Sequence, residues 1–498
     1  MDAAIAEVEG ADVPGQSLPE VESAMFSVSH EDDGEELDIA LSSPIPPPSD
    51  DTDVEAAVGA AAKAVGGAAG PAEAGAAVVD DTAAAAIDPS GPEWQAHDKH
   101  VFIFSIAGKP IYSRWGDEDK LASLFGVMQA LTSFVQEDGD QLEMIKAGNF
   151  RIVFQNRGPI VLVMAARTGE SQAQMQMQLT YVYNQVIFIL TYSQLKRIFE
   201  QQINYDLRRM LTGTEKFIDN LTALMDENPS FFLGAVRCLP LTAGVREKIG
   251  QVLLNSRIKD LVFGILIADN QLISLLRPRR YSLHPEDLHL IFNLVSCSSV
   301  FSTGECYMPM CLPKFNNSGF LHAHVSYIDE ACTTCLLLIT NNRDAFFELK
   351  SCRAKIVQAL SSNGCLGEIS KAVRHNSYRI DTMEVADLRH FLYKSKSIAQ
   401  FTSPTLEAPY NLPGERKRLF RRYQAVHHRI HSEARPLKIY FHNGQRETLL
   451  GWITVGFELY ACFGPLVTKP AAINAVLRLI RWMKREEDGL FIQSSLVF

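Results

Sequence analysis

A chain of 498 residues is too long for one hydrophobic core and predicts two to four folded units. Its net charge of −11 hides an asymmetry: residues 1–92 hold 20 of the 58 acids and one base, Lys63, a net of −19, which leaves 46 bases against 38 acids, +8, in the remainder. Nine irregularly spaced cysteines argue against a disulfide framework and for a reducing compartment, and apolar runs such as 160–166 and 262–268 fall short of the roughly 18 residues that a membrane span needs.

The opening Met1-Asp2-Ala3-Ala4 has neither the basic nor the apolar region of a secretory leader. Acidic clusters at 31–38 and 50–55, the prolines Pro44, Pro46, Pro47 and Pro48, and Ala/Gly tracts across 56–86 bury too little apolar surface to offset ordering entropy. Residues 1–92 are therefore expected to form a disordered acidic tail, with weakly amphipathic stretches at 21–28 and 37–41 as candidate docking motifs.

Order is expected from Trp94. Residues 101–106 and 111–115 read as strands around the turn Ala107-Gly108-Lys109-Pro110, which makes a hairpin. An amphipathic helix over 117–135 follows, with Leu121, Leu124, Phe125, Met128, Leu131, Phe134 and Val135 at helical spacing behind an acidic first turn. Strands at 151–155 and 160–167 and helices at 171–190 and 193–225 complete one unit. The next is read as strand 231–239, helix 243–254, hairpin 261–267 and 271–276, helix 284–295, strands 308–312, 320–327 and 335–340, and helix 344–360. Residues 363–384 are polar and predict a linker. Strand 388–393, helix 415–431, strands 437–441, 448–454 and 457–461, helix 471–484 and a short strand at 490–493 make the last unit. The fold class is α+β: three modules, 97–228, 230–362 and 385–498, each with an antiparallel sheet flanked by helices.

Reactive groups are hard to find. Gly108-Lys109-Pro110 has Ile103 where a phosphate loop needs its first glycine and proline where it needs Ser or Thr, and HExxH, GxSxG and GxGxxG are missing. Cys332 and Cys335 form a CxxC with Cys306 and Cys311 upstream. Cys335, however, opens the apolar run 336–339, so these thiols read as buried small hydrophobes rather than zinc ligands. His427, His428 and His431 lie on a helix dense in arginine, whose field disfavours a cation; no metal and no cofactor is expected.

That helix is the informative feature. Arg416, Lys417, Arg418, Arg421, Arg422 and Arg429 surround an apolar stripe of Leu419, Phe420, Tyr423, Val426 and Ile430. Such a face suits an anionic membrane surface, each exposed base contributing about 1 kcal/mol, or it is simply a solvated face on a packed helix. Arg277, Arg279 and Arg280, and Arg478, Arg481, Lys484 and Arg485, are further basic patches. Without an aromatic-interleaved RNA motif or a helix-turn-helix signature, nucleic acid is not the expected anion.

Lys99-His100-Val101-Phe102-Ile103-Phe104, Ala107-Gly108-Lys109-Pro110-Ile111-Tyr112-Ser113-Arg114, Asn204-Tyr205-Asp206-Leu207-Arg208-Arg209, Leu233-Gly234-Ala235-Val236-Arg237-Cys238, Gln400-Phe401-Thr402-Ser403-Pro404 and Pro465-Leu466-Val467-Thr468-Lys469 closely resemble the SAND/Mon family of vacuolar fusion proteins. The resemblance runs in order over about residues 97–493. It implies three longin-like domains, a heterodimer with a Ccz-type longin protein, and nucleotide exchange on a Rab-seven-type GTPase during early-to-late endosome conversion, lysosome fusion and autophagy. It also implies a cytoplasmic protein peripheral to endosome and lysosome or vacuole membranes, reading phosphoinositide and an upstream Rab-five-type GTPase. No covalent chemistry is implied, and a non-catalytic tether or adaptor is the alternative. In the family the first longin domains form the GTPase platform, which points to Lys109, Tyr112, Trp115, Leu124, Phe125 and Met128 as interface candidates.

Overall fold

Runs of β-branched and aromatic residues between tight turns build the first sheet of the computed structural model, which describes residues 94, 96–297, 304–375, 378–494 and 496–498. The expected acidic tail and its docking motifs lie outside these residues. β1 (Lys99–Ser105) and β2 (Pro110–Ser113) form the hairpin, with Gly108 at φ +77° in its turn, a conformation that disfavours any side chain. α1 (Ala122–Glu137) starts five residues later than expected, because residues 118–121 are spent in turns. β3 (Met144–Ala147), a short half-exposed strand without a clear alternation signal, then opens the meander completed by β4 (Phe150–Arg157) and β5 (Ile160–Ala166). The sheet order is β2-β1-β5-β4-β3, antiparallel throughout.

α2 (Gln172–Leu190) opens on a capping box between Ser171 and Gln174. The single helix expected over 193–225 is three: α3 (Tyr192–Gln201), α4 (Arg208–Leu211) and α5 (Glu215–Glu227). Gly213 at φ +83° interrupts it once, and Asp206, whose carboxylate accepts the Arg208 amide, restarts it. The strand expected over 231–239 is mostly a helical turn, α6 (Ser230–Leu233), preceded by Pro229 and closed by the left-handed Gly234; only β6 (Val236–Arg237) is extended.

After α7 (Ala243–Asn255), the first plan repeats. β7 (Leu261–Ala268), β8 (Gln271–Arg277), α8 (Pro285–Cys297), β9 (Glu305–Leu312), β10 (Asn316–Tyr327), β11 (Thr334–Thr340) and α9 (Phe346–Ser362) give the order β8-β7-β11-β10-β9. The expected linker is instead α10 (Cys365–His375), whose Cys365, Ile369 and Ala372 enter the second core at helical spacing, followed by a 3-10 turn, Ile380–Met383, in the third core. The plan runs a third time through β12 (Leu388–Ser395), β13 (Gln400–Thr402), α11 (Pro413–Ile430), β14 (Ile439–Asn443), β15 (Thr448–Ile453), β16 (Phe457–Phe463) and α12 (Lys469–Leu490), in the order β13-β12-β16-β15-β14. Residues 490–493 do not form the expected strand; β17 (Leu496–Val497) lies just beyond.

Two short parallel strands tie the modules together. β6 joins the third sheet beside β13, and β17 joins the second sheet beside β8. Each extends the edge that the first sheet leaves at β2. Gly250 on α7 makes room for the second of these: a Cβ there meets Leu496 Cδ2 at 2.7 Å.

Both faces of each sheet are covered, so strand residues alternate between cores. In β11, Leu337 and Ile339 face the core shared with α2, α5 and α8, while Leu336 and Leu338 face α7, α9 and α10. The strand consequently reads as a continuous apolar run. α2 packs between the first sheet and the second module, burying Met175, Leu179, Val182 and Val186. Lys99 is buried at the first module's base, its ammonium held by Glu170, Gln178 and Asp226.

Candidate partner and membrane surfaces

α1 uses one face for its own module. Phe125 is wholly buried and meets Phe102 and Phe104 edge-on at 5.7 and 5.8 Å; Met128 and Thr132 are buried beside it. The opposite face carries Val127, Leu131 and Phe134 at i, i+4 and i+7, exposed to 57, 41 and 69 %. Ala122, Gly126 and Ala130, four residues apart and also exposed, run along their flank, and no charged residue occurs between Lys120 and Glu137. A helix face in permanent contact with water normally carries charges; this one is small, apolar and open.

The six interface candidates are therefore redistributed. Phe125 and Met128 belong to the core and Leu124 is half-buried beside it. Tyr112 is buried, its hydroxyl donating to Asp219, and burial followed by that carboxylate's charge pushes its pKa well up. Trp115 stacks on His97 at 3.8 Å and donates Nε1–H to Lys99 O at 3.1 Å. Lys109 is exposed but donates to Asn204 O, which ties the hairpin tip to the segment after α3. Of the exposed apolar residues of α1, Leu131 and Phe134 were legible only as members of a longer helical stripe and Val127 was not singled out; their signal is the charge-free outer face.

The basic helix is also redistributed. Arg418 donates to both oxygens of Glu447 and, at 2.8 Å, to Glu415, while Tyr410 donates to Glu447 at 2.9 Å. Glu447 is buried, and although burial raises its pKa, hydrogen bonds from Arg418 and Tyr410 hold it below the ordinary range. Arg416 reaches Glu227 of α5 at 2.8 Å and Arg421 approaches Asp98 at 3.7 Å, so both face the first module. Gln174 of α2 donates to Gln424 O at 2.8 Å. α11 is thus a brace between modules, with Lys417 half-exposed and Arg422 and Arg429 exposed. A further basic face lies on α12, where Arg478, Arg481, Lys484 and Arg485 are all exposed, Arg485 pairing with Glu486 at 3.0 Å. Arg279 and Arg280 are exposed after β8, whereas Arg277 donates to Tyr281 O at 2.6 Å.

Cys335 is buried in β11, which pushes its thiol up to about 12; it, Cys306, Cys311 and Cys332 form no disulfide and make no metal-type cluster among the described residues. Near the end of α11, the rings of His427 and His431 lie 4.0 Å apart and face Glu458 of β16. A cleft of about 660 Å³ opens where the modules meet, lined among others by Arg237, Tyr378, His390 and Arg416. Among the described residues, no helix is long and apolar enough to cross a membrane.

Hairpin, helix, three-stranded meander and helix, repeated three times, define a triple-longin protein. Family models for the first, second and third longin domains of FUZ, MON1 and HPS1 match residues 99–221, 259–358 and 387–487 in turn. The chain belongs to the MON1/SAND family of vacuolar fusion proteins. It is 48% identical over 405 residues to vacuolar fusion protein MON1 homolog A of Bos taurus, covering 81% of this chain and 73% of the relative. It is 42% identical over 411 residues to protein SAND of Takifugu rubripes, covering 82% and 79%, and 42% identical over 426 residues to MON1 homolog B of Homo sapiens, covering 82% and 78%.

Proposed function

We propose that this chain acts in vacuolar and endosomal membrane fusion as one subunit of a heterodimeric exchange factor, paired with a Ccz-type longin protein and acting on a Rab-seven-type GTPase. The observation that carries the reading is the charge-free face of α1. Val127, Leu131 and Phe134 together offer a rigid, apolar docking strip in the first longin domain, supported from behind by Phe125 on the sheet. Exchange needs no nucleophile or metal. A factor that binds the nucleotide-free GTPase more tightly than the loaded form lowers the retention of nucleotide by that difference in affinity, and each 1.4 kcal/mol of difference is about tenfold.

The platform sits on membranes peripherally in this reading. The α12 bases Arg478, Arg481 and Lys484 supply the attraction to an anionic, phosphoinositide-bearing surface, assisted by Arg422 and Arg429. Recruitment by a Rab-five-type GTPase and service in endosome conversion, lysosome fusion and autophagy follow from the family resemblance. The test is release of labelled GDP from the Rab-seven-type GTPase: the reconstituted heterodimer accelerates it, and Leu131→Glu with Phe134→Glu abolishes the acceleration. An unchanged release rate with intact membrane binding makes the protein a tether or adaptor instead.

A further inference from the structure

We propose that His427, His431 and Glu458 form a binding site for a divalent transition metal of the zinc class. The two histidines stand one helical turn apart at the C-terminal end of α11, and Glu458, on the adjoining β16, is buried beneath them. One donor atom from each lies within 4.8 Å of the other two. His431 Nδ1 is 2.9 Å from His427 O, so the geometry assigns its N–H to Nδ1 and turns the Nε2 lone pair toward Glu458 Oε2, 3.7 Å away.

A backbone carbonyl fixing one ring nitrogen while the other meets the ion is the recurrent orientation of metal-binding histidines. Two electron-pair donors facing each other across 3.7 Å call for a positive charge between them. A proton on His431 supplies one; a metal displaces that proton and recruits His427 as well. Zinc bonds of about 2.0–2.1 Å put tetrahedral donors about 3.3 Å apart. The cluster must therefore tighten by up to about 1.5 Å, a movement that the exposed ring of His431, just past the helix end, can make.

The sequence argued against a cation here because α11 is rich in arginine, but the fold engages three of those arginines with acids away from the site. Arg416, Arg418 and Arg421 are engaged by Glu227, Glu447 and Asp98. The cation that does reach the site is Lys394, whose Nζ is 3.2 Å from Glu458 Oε1, so lysine and metal compete for one carboxylate. Tyr460 donates to the other oxygen at 3.2 Å and orients it. Two imidazoles and a carboxylate are a borderline donor set suited to zinc, and three protein ligands leave a fourth position for water or a donor from a partner.

The experiment uses the full chain, reduced and stripped with chelator, titrated with Zn²⁺ by calorimetry and with Co²⁺ by visible absorption. One ion per chain is expected. His431→Ala and Glu458→Gln each weaken binding about tenfold or more, a size typical of disturbing a metal's ligand shell. The neighbouring His428→Ala and the loop Cys332→Ser leave it unchanged, and Lys394→Met tightens it. Because His431 is exposed, its variant is expected to keep the wild-type melting profile, and Lys394→Met gives an independent reading of opposite sign. No zinc uptake by the wild type, or uptake indifferent to His431→Ala, overturns the proposal; in that case a proton alone bridges His431 and Glu458.

Discussion

α1 and α8 hold the same place in the repeated hairpin-helix-meander plan, yet they meet opposite surroundings. Every residue of α8 from Asp287 to Val295 is buried, because α2 and α5 cover the side that its own sheet does not. Its polar residues are satisfied within the seam: Asn293 donates to Gln185 Oε1 at 2.9 Å and Phe217 O at 2.8 Å, and His289 lies between Tyr181 Oη and Ala235 O. Among the described residues α1 has no such cover, and Val127, Leu131 and Phe134 are exposed. One position in the plan is therefore closed inside the chain, while the other stands open among the described residues.

The largest expected effect tests the closed side. Leu290, fully buried on α8, contributes to the core that modules one and two share; Leu290→Ala costs about 2–5 kcal/mol in urea unfolding, with both modules losing structure together. Separate transitions for the two modules would break the comparison. On the open side, Leu131→Glu with Phe134→Glu is expected to weaken capture of the proposed longin partner by about 2 kcal/mol or more, the scale of an interface hot spot, while urea stability changes by less than about 0.5 kcal/mol per site. A large loss of stability would show that the chain itself covers α1.

A smaller, pH-dependent effect sharpens the contrast. Burial lowers the pKa of His289 to about 4. The unfolded chain takes up that proton near 6.5, so the histidine's contribution to stability is complete above that pH and is lost as pH falls toward 4. Stability drops by up to about 1.4 kcal/mol per pH unit in that window, and His289→Gln flattens the slope by the same amount. α1 contains no histidine, so the exposed face of the first module adds no such slope.

Much of this plan was legible in the sequence because strand alternation and helical spacing report directly on what a core needs. The same spacing marks Phe125 and Met128, two of the interface candidates, as core residues, and the core uses them. α10 was hidden by polar residues around a narrow stripe of Cys365, Ile369 and Ala372. β6 and β17, two residues each, are extended only because a distant sheet edge receives them, which no local pattern records. The basic helix looked free because its acidic partners Glu227 and Glu447 are far away along the chain. Glu458, opposite His427 and His431, was hidden for the same reason.

The late arrival of β17 bears on how the chain is made. β8 ends at Arg277, and its neighbour spans Leu496–Val497, so a ribosome must add more than two hundred further residues before the second sheet gains its last strand. During that interval the Leu276–Arg277 end of the β8 edge is open to chaperones or to unwanted pairing. The nascent second domain stays incomplete until the third has been synthesised.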